Sequence, residues 1–429
     1  MLAARDRRVD IQNSMLEQGG RECCLACLTM NIAGEIKRTP MTKMLFDRGV
    51  RAFEKLGFDV KDSIIIDEFT GSEAFWLVKA ESANVKSSLE RIEDSFPAAR
   101  LFDFDVLTAD GAKLSRKQSR RCLICDRPAA ECARSRAHGL DVIKEKTQSL
   151  LRDFCAAELA GEAYDALLSE VYATPKPGLV DLNNNGAHSD MDVALFEKSA
   201  AALKPYFYDA AMLGMGGCSM GKLRERGLAA EGEMFAATGG VNTHKGMIYS
   251  MGLLLAGMGM ALASDNMEEG TGIRQEAIKN AAGLASQDAE RMLAKARANP
   301  GTNGAAVLIN YGALGATGHA AAGFPGAVYA ADRLAYYRQS GRFTDRQAGA
   351  LTLCDSMAEL EDTNLLHRGG NAGLEFTKLR ASKICEMDPG DRFAHLEALD
   401  KEMIDKNHSP GGSADMLALA FLLGNWNER

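Results

Sequence analysis

Past Leu159 the chain changes character, and that change limits its architecture more than any single motif does. Before it, β-rich runs alternate with helical ones. After it, the sequence is rich in Ala, Gly, Leu and Met and reads as nearly all helix. At 429 residues the chain is too long for one typical core. The expectation is therefore a multidomain protein, with an α+β domain over 1–159 and a nearly all-α domain over 160–429. Few aromatics (7%) against 42 Gly and 20 Met favour close helix packing over a β-sandwich.

A net charge of −8 argues against a general nucleic-acid coat, so any basic site must be local. The first residues, MLAARDRRVDIQ, lack the apolar core of a secretory signal. Gly246 to Ala263 comes nearest to a membrane span, but its glycines, Ser and Tyr suit a buried helix. Ten cysteines without a signal read as reduced thiols, which predicts a cytoplasmic protein.

The N-terminal pattern predicts a helix to about residue 18, a buried strand over 23–32, and a helix from Thr39 to Leu56. There Thr39 serves as N-cap and Pro40 takes the first helical position. Runs at 62–67 and 74–79 predict a hairpin around Thr70-Gly71, followed by an amphipathic helix over 82–96. In RLFDFDVL (100–107) strict alternation puts Leu101, Asp103, Asp105 and Leu107 on one face of a strand. Two carboxylates two residues apart can hold Mg²⁺ against a polyphosphate, although a bare D-x-D also fits an exposed edge.

Lys113 to His138 is strongly basic (Lys113, Arg116, Lys117, Arg120, Arg121, Arg127, Arg134, Arg136), which suggests a substrate carrying several phosphates. An RNA-binding arm is the rival reading; the absence of interleaved aromatics counts against it. Cys122, Cys125, Cys132 and His138 are admissible ligands for one Zn²⁺, with free or buried thiols the default.

A helix over 142–159 leads up to the boundary, and beyond it helices are expected at 163–171, 193–213, 222–237, 245–264, 272–298, 304–315, 326–340, 343–359, 373–385, 391–404 and 413–424. The stretch TPKPGLVDLNNNGAHSDMD (174–192) interrupts them. Pro175 and Pro177 exclude helix, and Asn183 to Gly186 favour turns. It carries Lys176, Asp181, His188, Asp190 and Asp192, a set suited to metal-bound polyphosphate. A polar surface loop is the plain alternative. Gly-rich turns at Gly239-Gly240 (with His244 and Lys245), at Arg368-Gly369-Gly370, and at Gly411-Gly412 each bring backbone amides to a helix start, as a triphosphate cradle would. Glu170 lies close before the loop and can reach the same site. GGCSMGK (216–222) is not a P-loop, because Leu223 replaces the metal-binding hydroxyl and no strand precedes it.

Six strings resemble triphosphoribosyl-dephospho-CoA synthase: ALLSEV (166–171), PKPGLVD (175–181), NNGAHSDMD (184–192), LRERGLAAEGEMFAATGGVNTHKG (223–246), DTNLLHRGG (362–370) and SPGGSAD (409–415). The first part resembles apo-citrate lyase phosphoribosyl-dephospho-CoA transferase through LTMNIAGEIK (28–37), RLFDFDV (100–106) and RCLICDRPAAECARSRAH (121–138). Together they resemble the bifunctional fusion. The chain departs from the first pattern at Ala99, where Gly is expected, and from the second at GATGHA (315–320), where Thr317 and His319 replace an Arg and a Glu.

The resemblance implies a nucleotidyltransferase-like first domain and two reactions. ATP and 3′-dephospho-CoA give triphosphoribosyl-dephospho-CoA and adenine; the product is then attached to a serine of the citrate lyase acyl carrier protein, releasing pyrophosphate. No nucleic acid or membrane is implied. Asp190, Asp192 or Glu170 would supply the base, and His188 or His244 would assist adenine departure. Lys176, Asp181, Arg224, Glu231, Gly239, Gly240, Lys245, Arg368, Gly411 and Gly412 would bind nucleotide. Asp103 and Asp105 would hold Mg²⁺ during serine attack. Rival readings are the equivalent reactions for malonate decarboxylase, a nucleotidyltransferase acting on RNA, and a nucleotide-binding regulator without turnover.

Overall fold

A four-stranded antiparallel sheet organises the N-terminal part of the computed structural model, in the order β2-β3-β1-β4. The structure describes residues 2–116, 118–264, 272–298 and 315–426. Two compact units divide it, Met1–Cys155 and Ala156–Arg429.

In the first unit, α1 (Leu2–Gly19) is followed by β1 (Cys24–Met30), α2 (Pro40–Glu54), β2 (Val60–Glu68), β3 (Gly71–Val78) and α3 (Ser82–Glu93). Thr39 and Thr42 form a capping box at the start of α2, with Pro40 in the first turn. Met15 of α1 packs on Leu25, Cys27, Phe75 and Leu77 to cover one sheet face. On the opposite face Phe53 of α2 stacks on Trp76, ring centroids 4.0 Å apart. The last strand, β4 (Phe102–Leu107), is shorter than its alternation predicts. Pro97–Leu101 forms a 3₁₀ turn, so the buried Leu101 is not on the aspartates' strand face. Phe102, Phe104 and Val106 are buried, which leaves Asp103 and Asp105 on the other side of an edge strand. A short helix, α4 (Ala129–Ser135), follows.

The predicted break at Gly161 does not occur. α5 (Leu140–Tyr172) runs through it unbroken for 33 residues. Glycine costs about 1 kcal/mol in a helix, and burial of Leu159, Ala160, Ala163 and Leu167 around it outweighs that.

The second unit continues with α6 (Val193–Met215), α7 (Met220–Ala237), α8 (Lys245–Ala263), α9 (Ile273–Ala298), α10 (Gly315–Ala321), α11 (Pro325–Gln339), α12 (Asp345–Glu359), α13 (Thr363–Cys385), α14 (Arg392–Asp405) and α15 (Gly411–Gly424). Of the helix expected at 304–315, residues 304–314 lie outside the described residues, as does Lys117 of the basic run. α8 is the one described helix long and apolar enough to cross a membrane, yet 78% of that span is buried in the protein. It is the core helix, with α6 and α9 against it. α13 starts ten residues before the predicted 373, because Asp362 caps it. Two helical stretches meet inside this range across a break at Gly370 (φ 61°, ψ −162°), so the Arg368-Gly369-Gly370 string does precede a helical stretch near the expected 373, and the stretch from Thr363 to the break is the unexpected part.

Candidate functional site

The Pro175–Asp192 loop is held by two aspartates that spend their oxygens on it. Asp181 accepts the backbone N–H of Lys176 (2.9 Å), Asn183 (2.7 Å) and Asn184 (3.1 Å). Asp400 accepts Gly178 N–H and the Asn184 amide, both at 2.8 Å. Gly178 has φ +73°, and a Cβ there would lie 2.3 Å from the His408 carbonyl oxygen. So tied, the loop buries Lys176 (2% exposed), whose ammonium pairs with Glu170 on α5. Burial pushes the Glu170 carboxyl up, and the Lys176 charge opposes that shift.

Next to this pair is a cavity of 560 Å³. Its wall includes Glu170, Lys176, His188 and Asp190 from the loop side, and Asn242, His244 and Gly246 at the start of α8. Asp362, Thr363 and Asn364 at the start of α13 and Gly411, Gly412 and Asp415 at the start of α15 complete much of it. Three helix N-termini thus meet at one cavity, each presenting the positive end of its dipole. Neither α8 nor α15 has a side-chain N-cap bond. At α13, Asp362 caps Asn364 and Leu365 and also accepts from the Ser413 amide and hydroxyl, joining α13 to α15.

Two histidines are fixed in neutral form. Thr243 donates to Ser199 (2.6 Å), and Ser199 pairs with His244 Nδ1 (2.7 Å), which leaves the proton on Nε2. That buried Nε2 has no partner among the described residues, and burial pushes the His244 pKa down to about 3. His188 sits between Arg368, 3.3 Å from Nδ1, and Ser409, 2.9 Å from Nε2. Burial and then the Arg368 charge lower its pKa.

Asp415 lines the same cavity without a hydrogen-bond partner among the described residues. Desolvation, followed by the negative charges of Asp362 and Glu170, raises its carboxyl to about 8. His319 also lines the cavity, so the departure at 315–320 places an imidazole in its wall.

The cavity gathers Glu170, Lys176, His188, Asp190, His244, Arg368, Gly411 and Gly412 from the expected residues. The others are engaged elsewhere. Asp181 is consumed by backbone amides, and Asp192 caps α6 through Leu195 N–H (2.8 Å). Arg224 pairs with Asp288, and Glu231 with Lys245 (3.1 Å). Gly239 and Gly240 close the end of α7, where Gly240 N–H reaches Phe235 O (2.8 Å). Asp362, His319 and Asp415 were missed. Asp362 and Asp415 lie inside the quoted strings DTNLLHRGG and SPGGSAD, but only their burial marks them out.

In the first unit Asp103 is exposed and Asp105 bonds Lys113 at 2.6 Å. The basic segment is partly neutralised. Arg116 and Arg120 both pair with the buried Glu93, at 3.1 and 2.5 Å, and Arg120 also donates to Phe102 O (2.9 Å). Cys122, Cys125, Cys132 and His138 come together, with ligand atoms within 4.8 Å of one another.

Residues 156–429 match the model of the ATP:dephospho-CoA triphosphoribosyl transferase family. The chain belongs to that family. Residues 1–154 match apo-citrate lyase phosphoribosyl-dephospho-CoA transferase. Protein CitXG of Haemophilus influenzae is 34% identical, covering 98% of this chain and 94% of the relative. Protein CitXG of Leuconostoc mesenteroides subsp. cremoris is 30% identical over 93% and 91%. The 2-(5''-triphosphoribosyl)-3'-dephosphocoenzyme-A synthase of Haemophilus ducreyi is 34% identical, over 70% of this chain and 98% of its own. With both families in one chain, this triphosphoribosyl transferase is bifunctional, and it makes and attaches the citrate lyase prosthetic group.

Proposed function

We propose that the cavity ringed by the N-termini of α8, α13 and α15 is where ATP and dephospho-CoA react. Their convergence carries the proposal, because aligned dipoles, and the first-turn amides left beside those that Asn242 and Asp362 accept, suit a triphosphate. Arg368 and Lys176 add positive charge. The C1′–N9 bond of ATP breaks, a dephospho-CoA ribose hydroxyl bonds to C1′, and adenine leaves. Asp415, protonated below about pH 8, gives the departing adenine its proton. Neutral His244 cannot supply one, but its Nε2–H donates a hydrogen bond to the leaving base. Asp190, exposed and lining the cavity, accepts the hydroxyl proton. Glu170, held by Lys176, faces the oxocarbenium-like carbon with negative charge.

On this reading residues 160–429 build the triphosphoribosyl group, and residues 1–159 act as a nucleotidyltransferase-like domain. Asp103 and Asp105 project from one strand face, as carboxylates for a Mg²⁺ bound mainly through triphosphate oxygens would. Bound there, the metal would neutralise the departing pyrophosphate. Lys113 brings a cation to the same edge, and the carrier-protein serine attacks the α-phosphorus. The acceptor is the citrate lyase acyl carrier protein; the description of the family matched at 1–154 favours it over a malonate decarboxylase carrier. The substrates and the ten free thiols fit a cytoplasmic setting.

Incubation with ATP, Mg²⁺ and dephospho-CoA should yield adenine and a triphosphoribosylated product by mass spectrometry. Adding apo carrier protein should release pyrophosphate. ATP binding without adenine formation would leave only the regulator reading.

A further inference from the structure

We infer that Cys122, Cys125, Cys132 and His138 form a closed structural zinc site that fastens the basic segment to the Asp103 strand. Zinc bonds of about 2.3 Å to sulfur and 2.0–2.1 Å to nitrogen, at tetrahedral angles, place ligand atoms roughly 3.5–3.8 Å apart. Cys125 Sγ lies 3.6 Å from Cys132 Sγ and 3.4 Å from His138 Nε2. Among the described residues this is the one group of three or more such side chains close enough to share an ion.

The backbone is arranged for the purpose. Ile124 N–H points to Cys122 Sγ at 3.4 Å. Such donors orient thiolate ligands and satisfy their remaining lone pairs. The turn is closed by Cys122 N–H to Arg127 O (2.7 Å) and Ala129 N–H to Arg120 O (2.8 Å). Three thiolates and one imidazole around Zn²⁺ leave a net charge of −1, and the charge of the nearby Arg127 guanidinium offsets it.

The segment also needs a staple. Between Val106 and Leu150 the single buried hydrophobic side chain among the described residues is Cys132, and the one other buried residue, Thr147, is polar. A stretch without apolar burial does not hold one conformation unaided. Yet it is tied to the strand and to the turn before it at defined points: Arg120 donates to Phe102 O, and Arg100 of the 3₁₀ turn donates to Arg121 O. Since the protein fills all four positions, the metal would be structural, and its binding energy would order the segment beside Asp103.

The full chain, purified under reducing conditions without chelator, should contain about one zinc by plasma mass spectrometry, falling at least about tenfold in Cys132→Ser. Wild-type protein produced with Co²⁺ in place of Zn²⁺ should show thiolate charge-transfer absorption and the intense visible bands of tetrahedral cobalt. That readout does not depend on the variant folding. Wild-type protein free of zinc, undiminished zinc in Cys132→Ser, or a weak octahedral cobalt spectrum would each overturn the assignment.

Discussion

Asp415 and Asp190 are both carboxylates of one cavity, yet their surroundings suit them to opposite proton transfers. Asp415 is desolvated next to Asp362 and Glu170 and holds its proton to about pH 8. As proton donor it is active below that value, so adenine release should fall as pH rises through about 8. Asp415→Asn should slow adenine release by about 10²–10⁴-fold, remove this alkaline limb and leave ATP binding intact. An unchanged pH profile in that variant would exclude the role. His244 depends on its neighbour, since Ser199 selects the tautomer with the proton on Nε2. The buried Lys176–Glu170 pair makes a separate stability prediction. Lys176→Met leaves an uncompensated carboxylate and should cost about 3–5 kcal/mol, measured by denaturant unfolding. Adding Glu170→Gln should recover most of it.

At the level of elements, the cavity exists because three helices begin beside one loop. The loop keeps its place through Gly178, whose φ of +73° and contact with the His408 carbonyl leave no room for a side chain. Gly178→Ala should lower stability by about 1–3 kcal/mol and weaken ATP binding with it; a calorimetric melt unchanged from wild type would contradict this. Much of this was legible in advance. The prolines and asparagines of 174–192 announce an irregular loop, and Gly411-Gly412 announces a helix start. Burial was not legible. Asp181 and Asp192 look like catalytic carboxylates in one dimension, but one is saturated by backbone amides and the other caps α6. Asp415 reads as an ordinary helix carboxylate until packing places Asp362 and Glu170 near it. The missed continuity of α5 has the same source, since local propensity at Gly161 was overruled by tertiary packing.

For the whole molecule, the two reactions are assigned to two units of one chain, and they should separate genetically. Asp103→Asn should abolish attachment to the carrier protein while adenine release continues; loss of both would refute the division of labour. The account as a whole rests on the triphosphate lying against the starts of α8 and α15. A crystal structure of the full chain with ATP and Mg²⁺ tests this most directly. The account predicts phosphate oxygens at the Gly246, Gly411 and Gly412 amides, with Arg368 against them. Nucleotide bound elsewhere, with this cavity holding only water, would contradict it.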